Sequence, residues 1–189
     1  MVKKNVCVFI SGYGSNLKAL IRSSRDNNFP IKIKLVITDN PKAKGILHAK
    51  VNSIPYLVVN TKKRNFENLI IKSLKKNKIF LICLAGYMKI ISKKFINNFG
   101  KKIINIHPSL LPKYKGLNTF ERILKNNEVK SGCTVHFVND KLDSGKIIIQ
   151  KFFYIKKGDS ELSLKQKTQK LEVYALPEAI IKIFRYNSI

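Results

Sequence analysis

Acidic residues are scarce in this chain: 11 Asp and Glu stand against 37 Lys and Arg, a formal net charge of +26 over 189 residues. Such an imbalance raises the prospect of an electrostatic footprint for nucleic acid. Its distribution argues otherwise, because the lysines fall in ones and twos, with no long basic block and no Arg-rich or aromatic-interleaved segment. Isoleucine and asparagine are abundant as well, so drift towards Lys, Ile and Asn codons is favoured over selection for a polyanion as the source of the charge, and no specific nucleic-acid partner is expected. There are three cysteines, an odd number, each in an apolar run. That excludes a disulfide framework and predicts buried thiols in a reducing compartment, none of them a ligand. No run approaches the roughly 20 apolar residues that span a bilayer. No membrane association is expected, and the predicted location is the cytoplasm. With no repeat and no low-complexity linker, residues 1–189 read as one domain, and 44% hydrophobic content is enough for one substantial core.

The apolar pattern alternates between strand and helix. Strands are predicted at Asn5 to Ile10, Ile31 to Ile37, Pro55 to Val59, Ile79 to Leu84 and Lys102 to Ile106, with helices over Asn16 to Arg25, Ala43 to Val51 and Phe66 to Lys76. This is the signature of a doubly wound, mostly parallel α/β sheet, with its ligand crevice at the carboxyl ends of the strands. From Gly132 the pattern changes: Cys133 to Val138 and Ile147 to Tyr154 are separated by a turn, an appended antiparallel pair. Ser160 with Ser163 is expected to cap a last helix that reaches about Arg185, with a bend or break at Pro177.

The richest stretch is Asn105-Ile106-His107-Pro108-Ser109-Leu110-Leu111-Pro112, answered by Leu142-Asp143-Ser144-Gly145. Side chains two apart on an extended segment share a face, and Pro108 restricts His107 to extended backbone, so Asn105 and His107 point the same way. An Asp in the turn between the last two strands can approach that imidazole and bias its protonation. This is a proton-transfer constellation that needs no metal. His107, read as an exposed loop residue, is expected to be removable without loss of core volume.

These motifs, with Gly132 to Gly145 and Ile10-Ser11-Gly12-Tyr13-Gly14-Ser15-Asn16-Leu17, resemble the folate-dependent formyltransferases over almost the whole chain. The opening segment is similar to that of members acting on 5-phosphoribosylglycinamide in purine biosynthesis. The resemblance implies a formyltransferase-like Rossmann variant with 10-formyltetrahydrofolate as co-substrate and no metal. Asn105 and His107 would stabilise a tetrahedral oxyanion, and Asp143 would sustain the charged form of His107. A methionyl-tRNA formyltransferase is expected to carry a further C-terminal domain, and a formyltetrahydrofolate hydrolase an N-terminal regulatory one. Neither reading fits this chain as well.

Locally, the glycine loop has three readings: an ordinary capped turn, a dinucleotide loop weakened by Leu17 in place of the third glycine, or a phosphate site at a helix N-terminus with Ser15 or Asn16 as cap. The resemblance favours the phosphate, held by Gly14, Ser15 and Asn16. Met88, Ile90 and Ile91 read alone as core packing at a helix start. The resemblance instead makes Met88, Lys89, Ile90 and Ile91 a folate wall, with Arg64 on the same side and Asn105 also touching the folate. Members commonly have Arg at the position of Lys89, and Pro and His at those of Lys115 and Asn118. Gln169 and Glu172, three apart on the last helix, are implied contacts to ribose and glycinamide; alone they are a polar helix face. His48 reads as surface and His136 as a strand residue facing cleft or solvent. The expected assembly is a monomer or homodimer.

Overall fold

The computed structural model describes residues 2–185. In chain order the elements are β1 (Lys4–Ile10), α1 (Ser15–Ser24), β2 (Ile31–Thr38), α2 (Gly45–Val51), β3 (Tyr56–Val58), α3 (Phe66–Lys76), β4 (Leu81–Leu84), α4 (Lys93–Phe99), β5 (Ile103–His107), α5 (Thr119–Lys125), β6 (Lys130–Phe137), β7 (Ile147–Tyr154) and α6 (Glu161–Arg185). The strands lie in the order β3-β2-β1-β4-β5-β6-β7. β1 pairs parallel with β2 and β4, β2 parallel with β3, and β6 antiparallel with β7. The α/β class and the appended antiparallel pair are those expected from the sequence. The chain divides into two compact units at Ile104/Asn105.

In the first unit, Val6 to Ile10 and Leu81 to Cys83 are fully enclosed, as central strands covered on both faces require. Helix α1 buries Leu17, Leu20 and Ile21, and α3 buries Ile70, Ile71 and Leu74, the i, i+3, i+4 stripe of a helix laid on a sheet. Helix α4 escaped the sequence reading because only Phe95 is buried, leaving no periodicity to detect. Its ends are nonetheless well specified: the Ser92 hydroxyl accepts from Phe95 N at 3.0 Å, and Gly100 closes the helix in the left-handed region.

In the second unit, α6 packs on β6 and β7. It starts with the expected cap, Ser163 N donating to Ser160 Oγ at 3.3 Å and Ser160 N to Ser163 Oγ at 3.0 Å. The break expected at Pro177 does not occur; the helix runs on to Arg185. Burial of Leu176, Ala179, Ile180 and Ile183 around and beyond the proline offsets the roughly 3 kcal/mol an interior proline costs. Helix α5, also missed, buries only Thr119 and Ile123. All three cysteines are buried and free. Burial pushes every thiol upward, Cys133 to about 12, so none is a thiolate near neutrality.

Candidate active site

Strand β5 ends in Asn105-Ile106-His107, and the 138–146 connection between β6 and β7 brings Asp143 to it. His107 Nδ1 lies 3.3 Å from Asp143 Oδ2, and Asn105 Nδ2 lies 3.5 Å from Asp143 Oδ1. One carboxylate therefore meets both side chains on the shared face of β5. Asp143 sits at φ 46, a left-handed conformation that Asp tolerates better than most residues. The turn is fixed further by Gly145, where a Cβ would drive into the Phe137 carbonyl.

His107 is 5% exposed, which corrects the expectation of an exposed loop residue. Being the last residue of β5 and under the 108–118 segment, it is enclosed before any substrate arrives. Both its nitrogens face acceptors: Nε2–H donates to the Tyr114 carbonyl at 2.9 Å, while Nδ1 faces the carboxylate. Only the imidazolium has protons for both. Burial nevertheless dominates and holds the His107 pKa below its ordinary value; the Tyr114 carbonyl and Asp143 oppose it, while His136 and Arg122 lower it further. Asp143 does favour the charged ring, as expected, but desolvation outweighs it.

Burial alone would raise the Asp143 pKa. His136, the Gly116 N–H at 2.9 Å and His107 together outweigh that and hold it at about 2. The two groups contribute to the acid stability. A buried histidine with a lowered folded pKa binds its proton more readily when unfolded, so its contribution is full above pH ~6.5 and is lost below that value. A depressed carboxylate contributes fully above its unfolded pKa of ~3.9 and loses this as pH falls towards about 2. Stability is expected to decline in two stages on acidification, the first below about pH 6.5 and absent from His107→Gln, the second below about pH 4 and smaller in Asp143→Asn, where Asp159, paired with Lys167, remains depressed. Urea midpoints across pH check this, and a wild-type midpoint constant from pH 7 to 5 would contradict the first stage.

His136, read from sequence as facing cleft or solvent, belongs to this cluster and is 2% exposed. Its Nδ1 lies 2.8 Å from the Phe137 carbonyl, and its Nε2 lies 3.3 Å from Asn105 Nδ2 and 3.7 Å from Asp143 Oδ1. The alternation of β6 was the available signal, since Thr134 and His136 share a face. Thr134 escaped notice too: its hydroxyl donates to Ser109 O at 2.6 Å and accepts from Leu111 N at 3.0 Å and Gln150 Nε2 at 2.9 Å. That buried network fixes the chain just after His107. Also in this unit, Gln169 is exposed and Glu172 half-buried on α6, the latter near enough to β6 to help raise the Cys133 pKa.

In the first unit, the glycine loop joins β1 to α1. The expected side-chain cap by Ser15 or Asn16 is not formed: the helix begins at Ser15, its N-cap is Gly14 at φ 77, and Asn16 is buried inside the first turn. Only glycine suits Gly14, since a Cβ there would lie 2.7 Å from Gly45 Cα. With no side chain capping it, the helix N-terminus keeps N–H groups for an anion. The 85–91 segment follows β4 as irregular chain, and Met88 is 64% and Ile90 78% exposed. This excludes the core-packing reading of those residues and leaves apolar side chains presented outward. Lys89 and Arg64 are exposed, and Ile91 is half-buried.

Residues 4–180 match the family model described as Formyl transferase. The chain belongs to the formyl transferase family. It is 40% identical over 189 residues to the phosphoribosylglycinamide formyltransferase of Haemophilus influenzae, covering 96% of this chain and 87% of that protein. It is 41% identical over 184 residues to the trifunctional purine biosynthetic protein adenosine-3 of Drosophila melanogaster, covering 94% of this chain but only 14% of that protein's length. The crystal structure of phosphoribosylglycinamide formyltransferase from Anaplasma phagocytophilum superposes with a TM-score of 0.91 at 37% identity, over 98% of this chain and 88% of that one. Among the described residues of this formyl transferase family member, no helix is long and apolar enough to cross a membrane.

Proposed function

We propose that this chain transfers the formyl group of 10-formyltetrahydrofolate to the amine of 5-phosphoribosylglycinamide in purine biosynthesis, as one formyltransferase domain working in the cytoplasm as a monomer or homodimer. The observation that carries the reading is the meeting of Asn105, His107 and Asp143 around one carboxylate in a chain of this family. The substrate amine attacks the formyl carbon, the carbonyl oxygen gains negative charge, and the bond from that carbon to the folate N10 then breaks. The amine loses a proton and N10 gains one.

Asn105 and His107 donate to the developing oxyanion, stabilisation whose loss costs roughly 10²–10³ per donor. For His107 this requires giving up the Tyr114 carbonyl that its Nε2 holds here. The proton from the amine passes to N10 with help from the His107–Asp143 pair, in which the carboxylate favours the charged ring against the burial that disfavours it. Gly14, Ser15 and Asn16 hold the phosphate by backbone N–H groups, and Gln169 and Glu172 contact the ribose and glycinamide. Met88, Lys89, Ile90 and Ile91 line the folate, joined by Arg64 and Asn105.

The phosphate assignment has its own test. Gly14→Ala must distort the loop, through positive φ and the approach to Gly45, so the KM for phosphoribosylglycinamide is expected to rise about tenfold or more, and that for the folate by less than about twofold. Steady-state kinetics with each substrate varied checks it; a change confined to the folate KM would assign the loop wrongly.

Transfer is separated from hydrolysis by following tetrahydrofolate release. Release is expected only when phosphoribosylglycinamide is present; equal release without it would make the chain a hydrolase.

A further inference from the structure

We propose that Ser11, held by Asp39, is a positioning residue for the folate-side segment Ala85–Ile91. This rests on the function proposed above and adds two residues to which that reading gives no role. Ser11 ends the β1–loop junction and engages the segment twice. Its backbone N–H donates to the Gly86 carbonyl at 3.1 Å, and its Oγ accepts from the Met88 N–H at 2.9 Å. The same hydroxyl donates to Asp39 Oδ1 at 2.5 Å. A hydroxyl has one proton to give. A carboxylate takes that proton and offers none, so Asp39 leaves the oxygen lone pairs of Ser11 aimed at Met88 N–H. Asn40 Nδ2, donating to the Ser11 carbonyl at 3.0 Å, fixes the same junction from β2.

Packing holds the segment only as far as Tyr87, which is buried edge-on to Phe9 with ring centroids 5.2 Å apart; beyond it the chain needs another hold. Met88 and Ile90 point outward and are exposed, and Gly86 turns the chain at φ 77. Its far end is held in the same manner: Glu67 accepts from Ser92 N at 3.3 Å and Ser92 Oγ at 2.6 Å. Two carboxylate–serine pairs thus fix the backbone of a stretch whose side chains remain presented. Removing the first pair frees Met88 while leaving the strand and the helix N-terminus intact. The folate then meets a segment that must be ordered on binding, and affinity for it falls.

The test compares Ser11→Ala, Asp39→Ala, the double variant, and the conservative Ser11→Thr and Asp39→Asn. Each alanine variant is expected to raise the 10-formyltetrahydrofolate KM about tenfold, as loss of a charge-assisted bond does. At saturating folate kcat should fall by less than about threefold, and the phosphoribosylglycinamide KM should move by less than about twofold. The double variant should be no worse than either single one, because both act through one bond. Threonine and asparagine, which keep the donor and the acceptor, should restore the wild-type KM. Asp39→Ala, at a half-buried turn position, carries the test if Ser11→Ala fails to fold. Additive effects, or equal shifts in both KM values, would overturn the proposal. Calorimetric binding of tetrahydrofolate separates it from the function beneath it. Wild-type protein that binds none overturns both; wild type and Asp39→Ala binding equally well overturns this proposal alone.

Discussion

His107→Ala should lower kcat by about 10²–10⁴, the combined range for a proton-transfer group and an oxyanion donor. The structure adds a second consequence. Because His107 is buried and its Nε2–H donates to the Tyr114 carbonyl, truncation leaves that half-buried acceptor short of a partner, at roughly 1–3 kcal/mol, and opens a space beside Asp143. The melting temperature should therefore drop as well, and a proper comparison needs a variant that fills the space. His107→Gln retains donors without the titrating ring. It should recover much of the stability and little of the rate, and that split identifies the missing rate as chemistry. The check is kcat at saturation for both variants at a temperature where circular dichroism shows them folded. Either one retaining more than about a tenth of wild-type kcat would remove His107 from the mechanism.

Asp143→Asn is the second large effect. Asparagine tolerates the left-handed backbone that Asp143 adopts at φ 46, so the turn should survive while the charge goes. Asp143 is one of two groups that raise the His107 pKa against burial. Its loss should push an already lowered value further down, and the asparagine amide can donate to Nδ1 and lock the neutral ring. Activity near neutral pH should fall about 10²-fold or more, with the alkaline limb of the rate profile, set by deprotonation of the imidazolium, moving to lower pH in step with the apparent pKa of the coupled site. Titration of the His107 ring by NMR in both proteins measures the shift. An unchanged or raised pKa in the variant would mean that Asp143 only shapes the turn.

The elements that carry the site were legible where burial left a strong pattern. The 6–10 run of β1 and all of β4 are apolar and enclosed, α1 and α3 have three-residue apolar stripes, and the spacing of Asn105 and His107 on an extended strand put their side chains on one face. What was not legible depends on tertiary surroundings. Helices α4 and α5 bury too few residues to show a period. Pro177 stayed inside α6 because long-range burial outweighed a local preference. The enclosure of His107 comes from the 108–118 segment folding over it, and that of His136 from its place in the interior of β6. The αL conformation of Gly14, which displaced the expected side-chain cap, follows from its close approach to Gly45, about thirty residues away in sequence. Met88 and Ile90 were ambiguous for the opposite reason, since an apolar residue reads as core until the structure leaves it outside.

The acceptor of the formyl group is decided by a single competition. The purified chain is given 10-formyltetrahydrofolate carrying a labelled formyl group, with phosphoribosylglycinamide and methionine-charged initiator tRNA in the same tube, and the label is located by chromatography. Label is expected on phosphoribosylglycinamide and not on tRNA, and transfer is expected to be lost with His107→Gln. Label on the tRNA, or transfer undiminished in that variant, would contradict the proposed function.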